Sequence, residues 1–437
     1  MPRSWRIDVS FEWDPRAAET GVDKLAMTDL AMQTICQRWD ESLAVMSPKS
    51  AVRIASVDAL LLRSPLLTPI KNSFRTLTER FALLIRVRDP EGLEGWGEVW
   101  CNYPPHGAAA RAQLLEDVVA PIAIAQPAQT PAMHFQEIGR RLRVPALVSG
   151  DHGSFEQVRA GLDQALWDLA ARRLNVPLWK MLRHCAGLEI TEQGPPRTRV
   201  YASGLGGETA PELAIANAQA GHNAFKLKVG FGAAEDAEIC ASLRAAIGDE
   251  AALMLDANQR WTPAEAVLAS RKLMACNPLW LEEPMPADIG WSEWQTIARE
   301  GAIPLAAGEN LRSWKSFQEG IAAGCLYAIQ PDAGKWGGFT GLLAIARAAF
   351  LQRMEKNAPL FCPHWLGGGV GLLAAQHLAA AVPYDFAWLE VDANVNPLRT
   401  EFMPKDWTIQ NGTAQLPTGA GLGFEPSAAA LRSFAAK

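Results

Sequence analysis

The sequence is short of cysteine and holds no arrangement that would pair what it has. Cys36, Cys101, Cys185, Cys240, Cys276, Cys325 and Cys362 are odd in number, scattered, and never in a CxxC spacing. Reduced, mostly buried thiols of a cytoplasmic protein are therefore expected. There is no surplus of positive charge: 41 basic residues stand against 47 acidic ones, a net charge of −6. That argues against nucleic acid or an anionic membrane as the main partner. No apolar run reaches the length of a membrane span. The first residues carry Asp8, Glu12 and Asp14 where a signal peptide would be apolar.

Half of the 437 residues are hydrophobic, which suits a large core, and the length is enough for two domains. Residues 1–50 read as a loosely attached extension with one amphipathic helix near 24–44, and the sequence gives them no role. From Val52 the pattern becomes β. "FALLIRVR" and "GWGEVW" flank Asp89-Pro90-Glu91-Gly92, a turn sequence. Helical stretches follow, with Leu162, Leu166 and Leu169 on one stripe and Pro177 as the interruption. Residues 51–195 thus read as an α+β unit. Over 196–392 short apolar strands alternate with Ala-rich helices: "RVYASG", "FKLKVG", "LMLDAN", "LWLEEP", "IPLAAGE", "YAIQPDA", "LFCPH" and "AWLEVD". Eight such units predict an α/β fold of the (β/α)₈ TIM-barrel type. Residues 393–437 are expected to fold back on the first domain.

Nearly every barrel strand ends in chemically capable residues. Lys226 and Lys228 end the second strand, Asp256 and Asn258 the third, Glu282 and Glu283 the fourth, Glu309 and Asn310 the fifth. Asp332, His364 and Glu390 end the sixth, seventh and eighth. Such positions ring the C-terminal mouth of a barrel, where its active site lies. A single acid there reads as a helix N-cap or a surface charge. Asp256, Glu282 and Glu309, at steps of 26 and 27 residues, would repel one another without a cation. Their hard oxygens suit Mg²⁺ better than Zn²⁺.

Alone, the two lysines of "FKLKVG" read as the guard of a solvated edge strand. Beside three carboxylates they read differently. Residues two apart on a strand share a face, and a lysine next to another cation in a half-buried site has its pKa lowered towards that of a base. Across the mouth, Asp332 can fix the tautomer of His364 and support its protonated form. Two bases would then reach both faces of one carbon.

These motifs resemble the enolase superfamily, and within it the mandelate racemase subgroup. The shared elements are Lys-x-Lys of "FKLKVG", Asp-x-Asn of "LDANQRW", the glutamates of "LEEP", "GEN" and "WLEVD", the Asp of "QPDAGKWGG" and the His of "CPHW". The likeness runs from about Val52 to the C-terminus and implies a capping domain built from the N-terminal region and the tail. It implies Asp256, Glu282 and Glu309 as Mg²⁺ ligands, Lys228 as the base on one face, and His364 with Asp332 as acid or base on the other. Lys226, Asn258 and Glu390 would contact the substrate, Lys226 also depressing Lys228 and Glu390 acting as a protonated donor to the enolate. Asp at 332, with Lys335 three positions on, favours the His/Asp dyad over a second lysine base. The glycine-rich "WLGGGVG" after His364 departs from the family pattern.

The implied activity is dehydration of an acid sugar to a 2-keto-3-deoxy acid; the alternative is a racemase or epimerase of a 2-hydroxy acid, and the distant alternative a non-catalytic barrel. The partners implied are a small carboxylate substrate and further copies of the chain. The segment 66–76 and the turn 102–106 are candidate specificity loops, with Lys71, Asn72, Arg75 and Tyr103 as candidate contacts. His106, His134, His152, His184, His222 and His377 are expected to be structural or exposed. Trp336 and Trp365 flank the dyad.

Overall fold

The computed structural model describes residues 24–71, 76–104, 106–188, 196–353 and 359–436. It begins with helix α1 (Lys24–Met46). Cys36, Trp39 and Leu43 recur at helical spacing and are buried. The Trp39 indole donates to the Thr340 carbonyl at 3.2 Å. This helix is therefore docked on the body of the protein, unlike the loose extension expected from sequence, because three of its apolar side chains complete the main core.

Strands β1 (Ser56–Lys71), β2 (Thr76–Arg88) and β3 (Glu94–Val99) form an antiparallel sheet in that order. The turn before β3 is the predicted one: the Asp89 carboxylate accepts from the Glu91 and Leu93 amides, and Gly92 takes φ +85°. Helices α2 (Gly107–Leu114), α3 (Ala120–Ile124), α4 (Pro131–Ser149), α5 (His152–Arg173) and α6 (Leu178–Ala186) complete this unit. Helix α5 lies directly on the β3 backbone. A Cβ on Gly97 would stand 2.1 Å from the Gly161 carbonyl oxygen, so the close approach needs glycine.

Each predicted barrel stretch contains a strand: β4 (Arg197–Leu205), β5 (Ala224–Lys228), β6 (Ala252–Asp256), β7 (Leu281–Glu282), β8 (Leu305–Ala307), β9 (Leu326–Ile329), β10 (Leu360–Phe361) and β11 (Trp388–Asp392). Helices α7 (Ala210–Gln219), α8 (Ala233–Ile247), α9 (Pro263–Leu273), α10 (Trp291–Glu300), α11 (Trp314–Ala323), α12 (Gly338–Arg353) and α13 (Gly369–Ala379) connect them. Neighbours pair in parallel from β4 to β10. Strand β11 pairs β4, and a bridge from Phe361 to Ala387 closes the ring. The fold is a TIM barrel with an N-terminal capping domain.

The tail does two things. After helix α14 (Pro397–Thr400), strands β12 (Ile409–Gln410) and β13 (Thr413–Gln415) extend the barrel sheet, β13 lying antiparallel to the start of β4. Helix α15 (Ala428–Phe434) makes the expected return to the capping sheet, where Ala436 N donates to Leu61 O at 2.9 Å. Among the described residues no helix is long and apolar enough to cross a membrane.

Candidate active site

The barrel interior is layered by the period-2 rule of its strands. Tyr201, Ala224, Met254, Trp280, Ala306, Ala328 and Cys362 form an apolar plug. Two residues further along the same strands come Ser203, Lys226, Asp256, Glu282, Gly308, Gln330 and His364, and Glu390 follows Trp388 in the same way. The outward neighbours Phe225, Leu227 and Val229 pack beneath the helices. The two lysines of "FKLKVG" therefore point inwards, on a central strand.

Lys226 is fully buried, its Nζ 2.7 Å from Glu282, 2.7 Å from Glu390 Oε1 and 3.7 Å from Asp256. Lys228 Nζ lies 2.5 Å from Asp256 Oδ2. Asp256 and Glu282 face each other in register across β6 and β7. Gln330 donates to Glu282 at 2.5 Å. Asn258 turns back on Asp256, its backbone amide donating to Oδ1 at 2.8 Å. Asn258 and Glu283 both take positive φ, +45° and +35°. Backbone of that kind on non-glycine residues concentrates at functional sites.

On the opposite side, His364 Nδ1 lies 2.6 Å from Asp332 Oδ2, as the dyad requires. Its Nε2 is 3.0 Å from Glu309 and 3.7 Å from Glu390. The Asp332 carboxylate is aimed by the Gly334 and Lys335 amides, which donate to Oδ1 at 2.7 and 3.1 Å. Lys335, three positions after Asp332, also enters the site. It is buried, pairs with Glu309 at 2.7 Å and lies 4.8 Å from the Trp100 ring centre of the capping domain.

The surroundings act on the charge of three of these groups. Burial and Lys226 pull the Lys228 ammonium down, but Asp256 and Glu282 outweigh them, and the group is held above the usual lysine range. Burial pushes the Glu390 carboxyl up, yet Lys226 and His364 bring it down to about 2. Burial lowers His364, but Glu309, Glu390 and Asp332 raise it to about 10, a setting that favours the protonated ring.

Among the described residues no three His, Cys, Asp or Glu side chains converge as a metal centre would need. Asp256, Glu282 and Glu309 close instead on Lys228, Lys226 and Lys335. The donor chemistry still fits a hard dication. Burial and the charges of Asp256 and Glu390 push Glu282 up to about 7, and burial with Glu309 pushes Glu283 up to about 8. Glu283 Oε1 is buried without a hydrogen-bond partner. Crowded, part-neutralised carboxylates are what a divalent cation relieves.

The two halves of the chain match two family models. Residues 55–182 match the mandelate racemase/muconate lactonizing enzyme N-terminal domain, and 209–430 the enolase C-terminal domain-like family. The chain belongs to the mandelate racemase/muconate lactonizing enzyme family. Its relatives include D-galactarolactone cycloisomerase of Agrobacterium fabrum, 29% identical over 88% of this chain and 99% of that one. The 3,6-anhydro-α-L-galactonate cycloisomerase of Streptomyces coelicolor is 31% identical over 74% and 84%. L-talarate/galactarate dehydratase of Salmonella typhimurium is 28% identical over 87% and 90%. A mandelate racemase/muconate lactonizing enzyme from Bordetella bronchiseptica superposes with TM-score 0.79 at 40% identity, covering 88% of this chain and 99% of that one. An enolase from Bradyrhizobium, complexed with magnesium and mandelic acid, has TM-score 0.74 at 26% identity, covering 89% and 99%.

Asn72 and Arg75 lie outside the described residues, as does the side chain of Lys71. Tyr103 is exposed on the capping turn. His134 and His377 are buried and hydrogen-bonded to backbone, His222 is buried, and His106, His152 and His184 are exposed. Trp336 packs on Phe317, and the Trp365 indole donates to Gly368 O at 2.8 Å. Sequence reasoning missed Gln330 and Glu98, and gave Glu283 and Lys335 no role of their own. Gln330 had a signal, since it stands two residues after Ala328, whose side chain lines the barrel interior.

Proposed function

We propose that the protein removes the proton α to the carboxylate of an acid sugar and eliminates the β-hydroxyl, giving a 2-keto-3-deoxy acid. The proton transfer rests on the pair of groups on two sides of the mouth, Lys228 on β5 and the Asp332-paired His364 after β10, and the choice of dehydration rests on the likeness to acid-sugar dehydratases. Lys228 takes the α-proton, and the electron pair of the broken C2–H bond moves into the substrate carboxylate to give an enolate. That pair then returns to form the C2–C3 double bond as the C3–O bond breaks, and the departing hydroxide takes its proton from His364 and leaves as water. The enol then tautomerises.

Asp256, Glu282 and Glu309 would hold Mg²⁺, the ion found in a solved relative; when bound, it supplies positive charge to the substrate carboxylate as the enolate develops. Lys228 becomes a base once the Asp256 charge is neutralised, since burial and Lys226 both then lower it. Glu390, an anion, keeps Lys226 aimed into the site and accepts the Trp365 amide at 3.1 Å. Lys226 gains a partner in the substrate carboxylate only by sharing itself with Glu282 and Glu390.

A second reading is favoured by the likeness to two sugar-acid cycloisomerases. If the β-oxygen belongs to a ring, the same two steps open or rearrange the ring and the product is an isomer. Proton NMR in D₂O separates these readings. The panel is aldonic, aldaric and uronic acids, their lactones and anhydro forms, and small 2-hydroxy acids, each with Mg²⁺ and with EDTA. Loss of the α-proton with new C3 methylene-type signals and loss of water identifies the dehydratase. An isomer of equal mass identifies the cycloisomerase. Exchange at C2 with an unchanged skeleton identifies a racemase or epimerase. No exchange on any compound removes the catalytic reading.

A further inference from the structure

The capping domain reaches the dyad through a side chain that no catalytic step uses. Glu98, at the end of β3 in "GWGEVW", is buried. Its Oε1 accepts from Gly368 N at 2.6 Å and its Oε2 from Gly371 N at 2.8 Å. Gly368 is the N-cap of α13, and no side-chain cap is made there. Gly371 is the third residue of that helix. A capping residue normally offers its own oxygen to the third amide. Here glycine cannot, and a carboxylate from the other domain takes both amides, with its charge at the positive end of the helix dipole.

The loop so capped is the one that carries His364. Gly368 O in turn accepts the Trp365 indole, and Trp365 N donates to Glu390. The same strand grips the other half of the dyad. Trp100 N donates to Gly334 O at 3.2 Å. The Gln164 side chain bonds both backbone groups of Glu98 and also Ala333 O, next to Asp332. The next barrel helix shows the parallel device: Asp163 of α5 accepts from Thr340 N at 2.9 Å and from its hydroxyl at 2.7 Å, at the start of α12. Helices α12 and α13 are the ones that follow the Asp332 and His364 strands.

We propose that Glu98 is a positioning residue which caps α13 from the capping domain and thereby fixes His364 against Asp332. The glycine-rich "WLGGGVG" is then the receiving half of the contact. A Cβ on Gly368 would stand 2.7 Å from Glu98 Oε1 and 2.9 Å from Oε2, so any side chain there pushes the carboxylate out of its present position. No ion pair to Glu98 is seen among the described residues. Burial and the nearby Asp332 charge push it up to about 7, while the two amides hold it down, which fits a carboxylate kept in place for its hydrogen bonds.

The proposal rests on the catalytic reading only for its effect on turnover. Two readouts keep the two apart. The first is hydrogen exchange by mass spectrometry on the full-length protein, comparing wild type with Glu98→Gln. Gln offers one acceptor oxygen where two amides point. Peptides covering residues 366–373 are expected to exchange about tenfold faster or more, with peptides from α8 unchanged. Should Glu98→Gln fail to fold, Gly368→Ala expels the carboxylate from the other side and is expected to expose the same peptides. Exchange within about twofold of wild type overturns the proposal, whether or not any substrate is found.

The second readout is used with whatever compound the NMR panel identifies. Lys228 still removes the α-proton in Glu98→Gln, while proton delivery by His364 fails. The ratio of α-proton exchange to product formation is expected to rise about tenfold, and Glu98→Asp, which keeps the charge, to recover part of the loss. A parallel fall of both rates would mean a merely structural role and would overturn the positioning claim. If no compound reacts, the catalytic reading fails and hydrogen exchange alone decides.

Discussion

At the scale of single residues, the site divides between two proton-transfer groups of different design. Lys228 makes a direct ion pair with one carboxylate, Asp256, whereas His364 is surrounded by three, Asp332, Glu309 and Glu390. Removing them should therefore give different phenotypes. Lys228→Ala should abolish both α-proton exchange and turnover. His364→Asn should lower product formation by about 10²–10⁴-fold, the usual worth of a general acid, while exchange through Lys228 survives. Following both signals in one D₂O experiment on the active compound checks this. Equal loss of exchange in both variants would remove the two-faced assignment. A buried residue far from the chemistry gives a pH test. His377 accepts the Trp179 amide on Nδ1 at 3.0 Å and faces Leu422 O with Nε2, so the neutral form is built in. Burial lowers it to about 4. The unfolded chain takes up a proton below about 6.5 and the native one does not until about 4, so the stability this histidine contributes falls as pH drops through that window. Between pH 7 and pH 5 the loss is about 2 kcal/mol. Urea midpoints of wild type and His377→Leu at the two pH values should show it as a steeper fall in wild type.

At the scale of elements, the barrel was legible because each strand is an apolar run closed by a polar side chain, and the period-2 rule then assigns faces. "FKLKVG" is the clearest case: Lys226 and Lys228 inward, Phe225, Leu227 and Val229 outward. What was not legible is where an amphipathic helix finds its partner. Helix α1 shows this. Its stripe of Cys36, Trp39 and Leu43 is written in the sequence, but the surface it covers is assembled from α4, α6 and α12, distant in the chain. Trp39→Ala removes a fully buried indole and its bond to Thr340, and should cost about 3–5 kcal/mol. Denaturant unfolding measures this directly. A cost below about 1 kcal/mol would mean that α1 is the loose extension its position in the sequence suggested.

At the scale of the whole molecule, the dyad, the lysines and the three carboxylates were legible, since each is an unusual residue at a strand end. Their charge states were not, because a pKa depends on which partners the fold brings within about 3 Å, and the spacing of a sequence does not contain that distance. Glu98 was hidden for a related reason: a glutamate ending a hairpin strand looks exposed until α5 and the barrel close over it. The same holds for Asp168, which joins three distant segments. Its carboxylate accepts from Trp96 N of β3 at 2.9 Å, from Leu422 N of the tail at 2.6 Å and from Arg172 of its own helix at 2.9 Å, and Arg172 reaches on to Phe424 O at 2.6 Å. Helix α15 has no fully buried residue of its own, so this junction is a main hold on the tail beside the Ala436–Leu61 bond and the Phe402–Phe434 contact. Asp168→Ala leaves two amides and a guanidinium without their acceptor and should cost about 3–5 kcal/mol, whereas Asp168→Asn, which keeps one acceptor and the shape, should cost about 1–3 kcal/mol. The loss should also be local before it is global: limited proteolysis should nick Asp168→Ala between residues 417 and 427 under conditions that leave wild type intact. A variant that loses global stability but keeps its tail protected would place the attachment in β12–β13 and the barrel sheet instead.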